Sequence, residues 1–136
     1  MRPKYIASLT FRGFQMPPSK VEELIGFPAS TLVTAGFPSK PGTQPLRRSV
    51  AAWEVEFEDT ARLDEMLPTL INGIGGAEHL NTVKKTVNPE FIDVDIAMWI
   101  KDSEAQEGGF IDLSALEMLT KIGGTLSFGF YSRNLE

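Results

Sequence analysis

Two runs of alternating carboxylates hold most of the chemistry this sequence offers. Glu54, Glu56 and Glu58 occupy every second position of one segment, and Asp93 and Asp95 do so in another. A period of two puts each set on a single face of a strand. If those strands are neighbours, five carboxylates share one sheet surface. Such a surface suits a basic docking partner or an oxygen-ligated cation. A catalytic carboxylate pair needs a fixed separation and split pKa values, which spacing alone does not supply. The plainer reading is a solvated face. Charge on exposed strands blocks aggregation, although like charges set opposite one another destabilise a sheet.

The remaining candidates are fewer. His79 is the one imidazole, and histidine is the usual general base near neutral pH. No second histidine completes a metal site and no nucleophile elbow accompanies it, so His79 reads as a helix residue. Gly73, Gly75 and Gly76 have a nucleotide-loop look. However, Glu78 stands where a third glycine belongs, and the segment follows a helix where a dinucleotide fingerprint needs a strand. It reads as a helix break. Lys40, Arg47 and Arg48, near Trp53, have the charge to hold an anion or phosphate, or to pair with the acidic face. Trp99 and Tyr131 fall on outward strand positions. Aromatic residues there either anchor a partner or second copy, or pack beneath a loop. No catalytic residue, metal or cofactor is expected from these sets.

Composition narrows the classes. The 136 residues suit one domain, 1–134, with a two-layer core. Leu135 and Glu136 read as vector-derived. With no cysteine there are no disulfides, thiolate chemistry or cysteine-bound metal. The net charge of −5 disfavours nucleic acid and suits a basic protein. No apolar run reaches membrane length and no signal peptide is seen, so a cytoplasmic location is expected.

The elements that position these residues follow from periodicity. Tyr5, Ala7, Leu9 and Phe11 alternate with Ile6, Ser8, Thr10 and Arg12, which predicts a strand. Ser19 and Glu22 have capping-box spacing before a helix over 20–25, with Gly26 as its stop. Residues 27–49 contain four prolines and read as a long loop. Residues 49–58 predict a strand with Trp53, Val55 and Phe57 opposite the glutamates. Helical spacing follows from Leu63 to Ile74, where Pro68 argues for a start later than Leu63. A second helical piece covers 77–87. Residues 91–100 alternate again, with Ile92, Val94, Ile96, Met98 and Ile100 inward, and a polar turn covers 101–109. Asp112 or Ser114 caps a helix with Leu113, Leu116, Leu119 and Ile122. The last strand, 125–131, turns Leu126, Phe128 and Phe130 inward.

The expected fold is α+β, a mainly antiparallel four-stranded sheet with helices on one face. The order is β-α-β-α-β-α-β with a helical insert, a variant of the ferredoxin-like plan.

The segments YIASLTFRG, VEELIGFPAS, RRSVAAWEVEF and GGFIDLSALEMLTKIGGTLSFGFY carry a resemblance. Over residues 4–131 the chain resembles an uncharacterised, mostly bacterial family, domain of unknown function 4279. The resemblance implies no activity; some relatives look like immunity-type proteins of bacterial toxin systems. The expected function is therefore a non-enzymatic protein-binding module. Its contacts are drawn from Arg47, Arg48, Trp53, Glu54, Glu56, Asp93, Asp95, Trp99 and Tyr131. Two alternatives stand beside it. One is a small-molecule-binding protein or enzyme with a site between the 36–49 loop and the sheet. The other is a homo-oligomeric structural domain, such as a homodimer, burying Trp99 and Tyr131 across sheets.

Overall fold

A computed structural model describes residues 5–38, 40–99 and 109–131, with the Trp99 side chain outside that description. The chain runs β1 (Tyr5–Arg12), α1 (Pro18–Ile25), β2 (Thr31–Val33), β3 (Val50–Phe57), α2 (Leu63–Gly73), α3 (Ala77–Val87), β4 (Phe91–Trp99), α4 (Leu113–Ile122) and β5 (Thr125–Tyr131). The expected Ile100 position, the 101–108 turn and Leu135-Glu136 lie outside the described residues.

The five strands form one sheet in the order β2-β3-β1-β4-β5. β1 is antiparallel to β3 and to β4, and β2 is antiparallel to β3. Among the described residues only β4 and β5 are parallel, with α4 between them in sequence. The sheet is thus mainly antiparallel and mixed with helices, but among the described residues it has five strands where alternation predicts four. The two strand-helix-strand halves also differ, since the first encloses antiparallel neighbours and the second a parallel pair.

β1 is central because its inner residues are wholly apolar. Tyr5, Ala7, Leu9 and Phe11 are all buried. They join Trp53 of β3 and Ile92, Val94 and Ile96 of β4 in one core. All four helices feed that same core: Val21 and Ile25 from α1, Met66, Leu67, Leu70 and Ile71 from α2, Leu80, Val83 and Val87 from α3, Ala115, Leu119 and Ile122 from α4. The helices therefore lie on one face of the sheet. Each large buried side chain here contributes about 1.5–3 kcal/mol relative to exposure.

Several local expectations change. α1 starts at Pro18 and its N-cap is Pro17, with no side-chain cap. Proline is favoured in a first turn because it has no N–H to satisfy and a helix-like φ. Ser19 therefore lies inside the helix, and the Glu22 carboxylate accepts from the Ala29 backbone N–H at 2.8 Å instead of closing a capping box. Gly26 stops the helix in a left-handed conformation at φ 86°. α2 begins at Leu63 despite Pro68, which sits inside it. Asp112, not Ser114, caps α4, its Oδ1 accepting from the Ala115 N–H at 2.9 Å.

The 27–49 segment is more regular than its prolines suggest. Thr31–Val33 pairs with Ala52–Val50 as an edge strand. Pro38 and Pro45 then bridge, flanked by backbone hydrogen bonds from Gly36 to Leu46 and from Leu46 to Phe37. Leu46 packs on Val33, Val50 and Ala52, a small apolar cluster separate from the main core. Edge positions tolerate proline because one side of an edge strand has no ladder to break.

Candidate functional site

The face of the sheet opposite the helices carries the acidic residues. Register places Glu54 beside Ser8, Ser8 beside Asp95, and Asp95 beside Ser127. The next row outward holds Glu56, Ile6, Ala97 and Gly129, and the row on the other side holds Ala52, Thr10, Asp93 and Thr125. All four named carboxylates share one face, as the alternation implies. β3 and β4 are not neighbours, however, because β1 lies between them. The two acidic runs are therefore separated by two strand spacings, roughly 10 Å. Direct carboxylate pairing is avoided, and Ser8 and Thr10 fill the intervening column.

The carboxylates differ in how they are satisfied. Asp93 accepts from Arg12 Nε at 2.8 Å. Asp95 accepts from the Ser127 hydroxyl at 3.0 Å. Glu54 and Glu56 are exposed, and neither carboxylate has a hydrogen bond or ion pair among the described residues. Exposed strand carboxylates of this kind contribute little to stability. No group of three metal-ligating side chains occurs among the described residues.

The basic residues separate. Arg48 Nε lies 2.7 Å from Glu90 Oε2, and its guanidinium carbon stands 5.1 Å from the centre of the Phe91 ring. Arg48 is thus held at the β4 entrance by an ion pair and a cation–π contact. Arg47 and Lys40 are exposed. Pairing of the loop with acid does occur, but with Glu90 and not with the β3 and β4 carboxylates. Glu90 and Arg12 join the expected contacts as partners of Arg48 and Asp93. Arg12 was legible as the outward end of β1, whereas nothing in its spacing flagged Glu90.

Trp53 stands apart from the other candidates. It is 2% exposed, meets Phe11 edge-on at 6.1 Å between ring centres, and donates its indole N–H to the Phe27 carbonyl at 3.0 Å. It holds the core and the α1–β2 connection together and offers no surface to a partner. Tyr131 pairs in register with Trp99 at the ends of β5 and β4, on the outer face, and is 47% exposed. The Tyr131 ring lies across Gly129, where a Cβ would come within 2.9 Å of it.

His79 is structural here. Its Nε2 is 2.7 Å from the Ile25 carbonyl oxygen, tying α3 to the last turn of α1. Gly75, at φ 110°, leaves room for the imidazole, and a Cβ there would collide with the ring. The glycine cluster breaks the α2–α3 helical run around that contact. Across the same helical layer Lys121 Nζ reaches Glu78 Oε1 at 2.8 Å, linking α4 to α3. This contact, through the hydrogen bond first and the charge second, lowers the Glu78 pKa from its ordinary 4.5.

Two apolar positions on the helix side differ from the inward expectation. Phe128 and Phe130 face inward by register, opposite Ile96 and Met98. Yet they are 43% and 64% exposed, because the sheet reaches past its helical cover at β5. Alternation reports which face a residue takes, not whether anything covers that face.

No helix among the described residues is long and apolar enough to cross a membrane. No curated protein and no solved structure matches the chain. The family described as Domain of unknown function (DUF4279) matches residues 3–133. That match spans almost all of the 136 residues, including every strand and helix above, so the chain belongs to the DUF4279 family.

Proposed function

We propose that this domain is a non-enzymatic protein-binding module that docks a basic partner on the open face of its sheet. The observation that carries the reading is the state of Glu54 and Glu56. Both are exposed on the face away from the helices, and neither has an internal partner among the described residues. Asp95 and the Arg12-paired Asp93 continue the acidic character across β1. A basic surface meeting this face gains charge complementarity, felt mainly in association rate and selectivity. Tyr131 supplies an aromatic contact at the end of the same face. An immunity-like role in a bacterial toxin system, exercised in the cytoplasm, is the concrete form of this reading, and the ferredoxin-like kinship of the two halves belongs with it.

The test is binding to a panel of purified basic proteins, measured by interferometry at low and high salt. The wild type should bind a subset with an on-rate that falls as salt rises. Glu54→Lys/Glu56→Lys should lose that binding while keeping the wild-type circular dichroism spectrum. Binding unaffected by both salt and charge reversal would overturn the proposal.

A further inference from the structure

The two edges of the sheet are guarded differently. β2 forms one edge, is three residues long, and leads into the proline-rich segment. Shortness and nearby proline are common ways to stop a sheet from adding strands. β5 forms the other edge and runs for seven residues, Thr125–Tyr131, with no charged residue and no proline. Among the described residues its ladder is made with β4 alone. From Thr125 to Phe130 its outward row of N–H and C=O groups has no ladder partner among the described residues. An uncharged, aromatic-rich edge of this kind pairs with a further strand when nothing blocks it.

An apolar surface adjoins that edge. Phe128 and Phe130 stack at 6.4 Å between ring centres on the helix side of β5. α4 connects two parallel strands, so it runs antiparallel to them and its first turns lie toward the end of the sheet where β5 finishes. There Leu113 is 71% exposed, Leu116 43% and Phe110 55%. Leu113 and Leu116 are three apart and share one outward side of the helix. The core side of α4 is taken by Ala115, Leu119 and Ile122.

We propose that this edge is a homodimer interface. β5 pairs antiparallel with β5 of a second copy, joining the two sheets, while Phe128, Phe130, Leu113 and Leu116 of each copy cover those of the other. Three observations select a second copy as the occupant. First, a single segment paired antiparallel about a two-fold axis satisfies itself, so one edge suffices for both sides. Second, each chain carries a net charge of −5, so two copies repel through most of their surfaces. β5 is uncharged and is where that repulsion is least, whereas a basic partner finds no carboxylate on this strand. Third, the area is sufficient. Taking about 200 Å² for a whole large side chain, the exposed parts of Leu113, Leu116, Phe128 and Phe130 amount to roughly 450 Å² per copy. Two copies bring about 900 Å², and the paired backbone edges carry the total to the range of a specific interface. This surface is separate from Glu54 and Glu56, so the dimer stands or falls independently of the basic-partner proposal.

The experiment is sedimentation equilibrium on the full chain over a hundredfold range of concentration. The variants are Phe130→Lys and Leu113→Lys. Both positions are exposed, so the monomer fold should survive, which circular dichroism and thermal unfolding check. The wild type should fit a monomer–dimer equilibrium. Phe130→Lys should raise the dissociation constant at least thirtyfold, roughly the scale of an interface hot spot. Hydrogen exchange at β5 amides should slow with concentration in the wild type and not in Phe130→Lys. A wild type that stays monomeric overturns the proposal. So does a dimer that neither variant weakens, or one weakened only by Glu54→Lys. If Phe130→Lys fails to fold, Leu113→Lys and β5 exchange in the wild type decide the matter.

Discussion

Arg12 Nε donates to Asp93 Oδ2 at 2.8 Å, joining the last residue of β1 to the third residue of β4 on the open face of the sheet. The two are diagonal partners, since Arg12 lies opposite Phe91 and Asp93 opposite Thr10. The pair takes one carboxylate out of the acidic face and leaves Glu54 and Glu56 open, with Asp95 held by the neutral Ser127 hydroxyl. Arg12→Ala should therefore cost little stability, about 0.5 kcal/mol for a pair exposed on both sides. It should also strengthen binding of a basic partner at low salt by exposing Asp93. Urea unfolding and interferometry on the same variant test both halves; weaker binding would contradict the assignment of Asp93 to that face.

The Lys121–Glu78 contact gives a pH-dependent link between α4 and α3. The Glu78 pKa is lowered in the folded protein, with Lys121 as the cause. A carboxylate whose pKa falls on folding stabilises the folded state above its unfolded value of about 4.5, and that contribution is lost as pH drops through the lower folded value. Lys121→Ala should return the Glu78 titration toward 4.5, read by carboxyl NMR. The difference in stability between wild type and variant should then shrink as pH falls below 4.5.

Gly13 is held at φ 76°, and a Cβ there would meet the Glu90 side chain at 2.9 Å. The same turn receives the Glu90 N–H on the Arg12 and Gly13 carbonyls. Gly13→Ala should cost about 1–3 kcal/mol from backbone strain and displacement of Glu90. It should also loosen the Arg48–Glu90 pair, which an Arg48 side-chain NMR signal would report. Equal stability and an unchanged Arg48 signal would contradict the contact.

The proline-rich segment is fastened by Leu46 on Val33, Val50 and Ala52. Leu46→Ser should remove about 1 kcal/mol of apolar burial while leaving the main core intact. Limited proteolysis should then cut within 34–48 faster than in the wild type, with little change in the global unfolding midpoint. Unchanged cleavage would show that the Pro38–Pro45 bridge alone holds the segment.

His79 ties α1 to α3 through the Ile25 carbonyl, and Trp53 ties the α1–β2 connection to β3 through the Phe27 carbonyl. His79→Ala should cost about 1 kcal/mol for the lost hydrogen bond. Trp53→Phe, which removes the indole N–H and puts a smaller ring in a buried site, should cost more, about 2–3 kcal/mol, from the cavity together with the Phe27 carbonyl left without its donor. Thermal unfolding of the two single variants checks both values.

Much of this architecture was legible in residue order because strands and helices impose short periods. Alternation put Glu54 and Glu56 opposite Trp53 and Val55, and Asp93 and Asp95 opposite Val94 and Ile96. It also put Arg12 and Ser8 on the outer side of β1. Helical spacing marked the residues of α2 that enter the core; in α4 it marked Leu119 and Ile122 correctly but also Leu113 and Leu116, which are exposed, and it passed over the buried Ala115. Gly26, and Asp112 as one of two cap candidates, marked helix ends through local backbone chemistry. These are near-neighbour effects, and they need no knowledge of distant contacts. Tertiary structure decided what those faces meet. Only strand order shows that β1 separates the acidic runs of β3 and β4, because nothing local to either run encodes its neighbour. Only the sheet's extension past its helical cover leaves Phe128 and Phe130 exposed on a face that alternation assigns inward. Only the pairing of Thr31–Val33 with β3 makes a strand of a segment whose prolines argue for loop, since an edge needs ladder bonds on one side alone. Periodicity fixes the direction a side chain takes; its burial and its partner depend on residues many positions away.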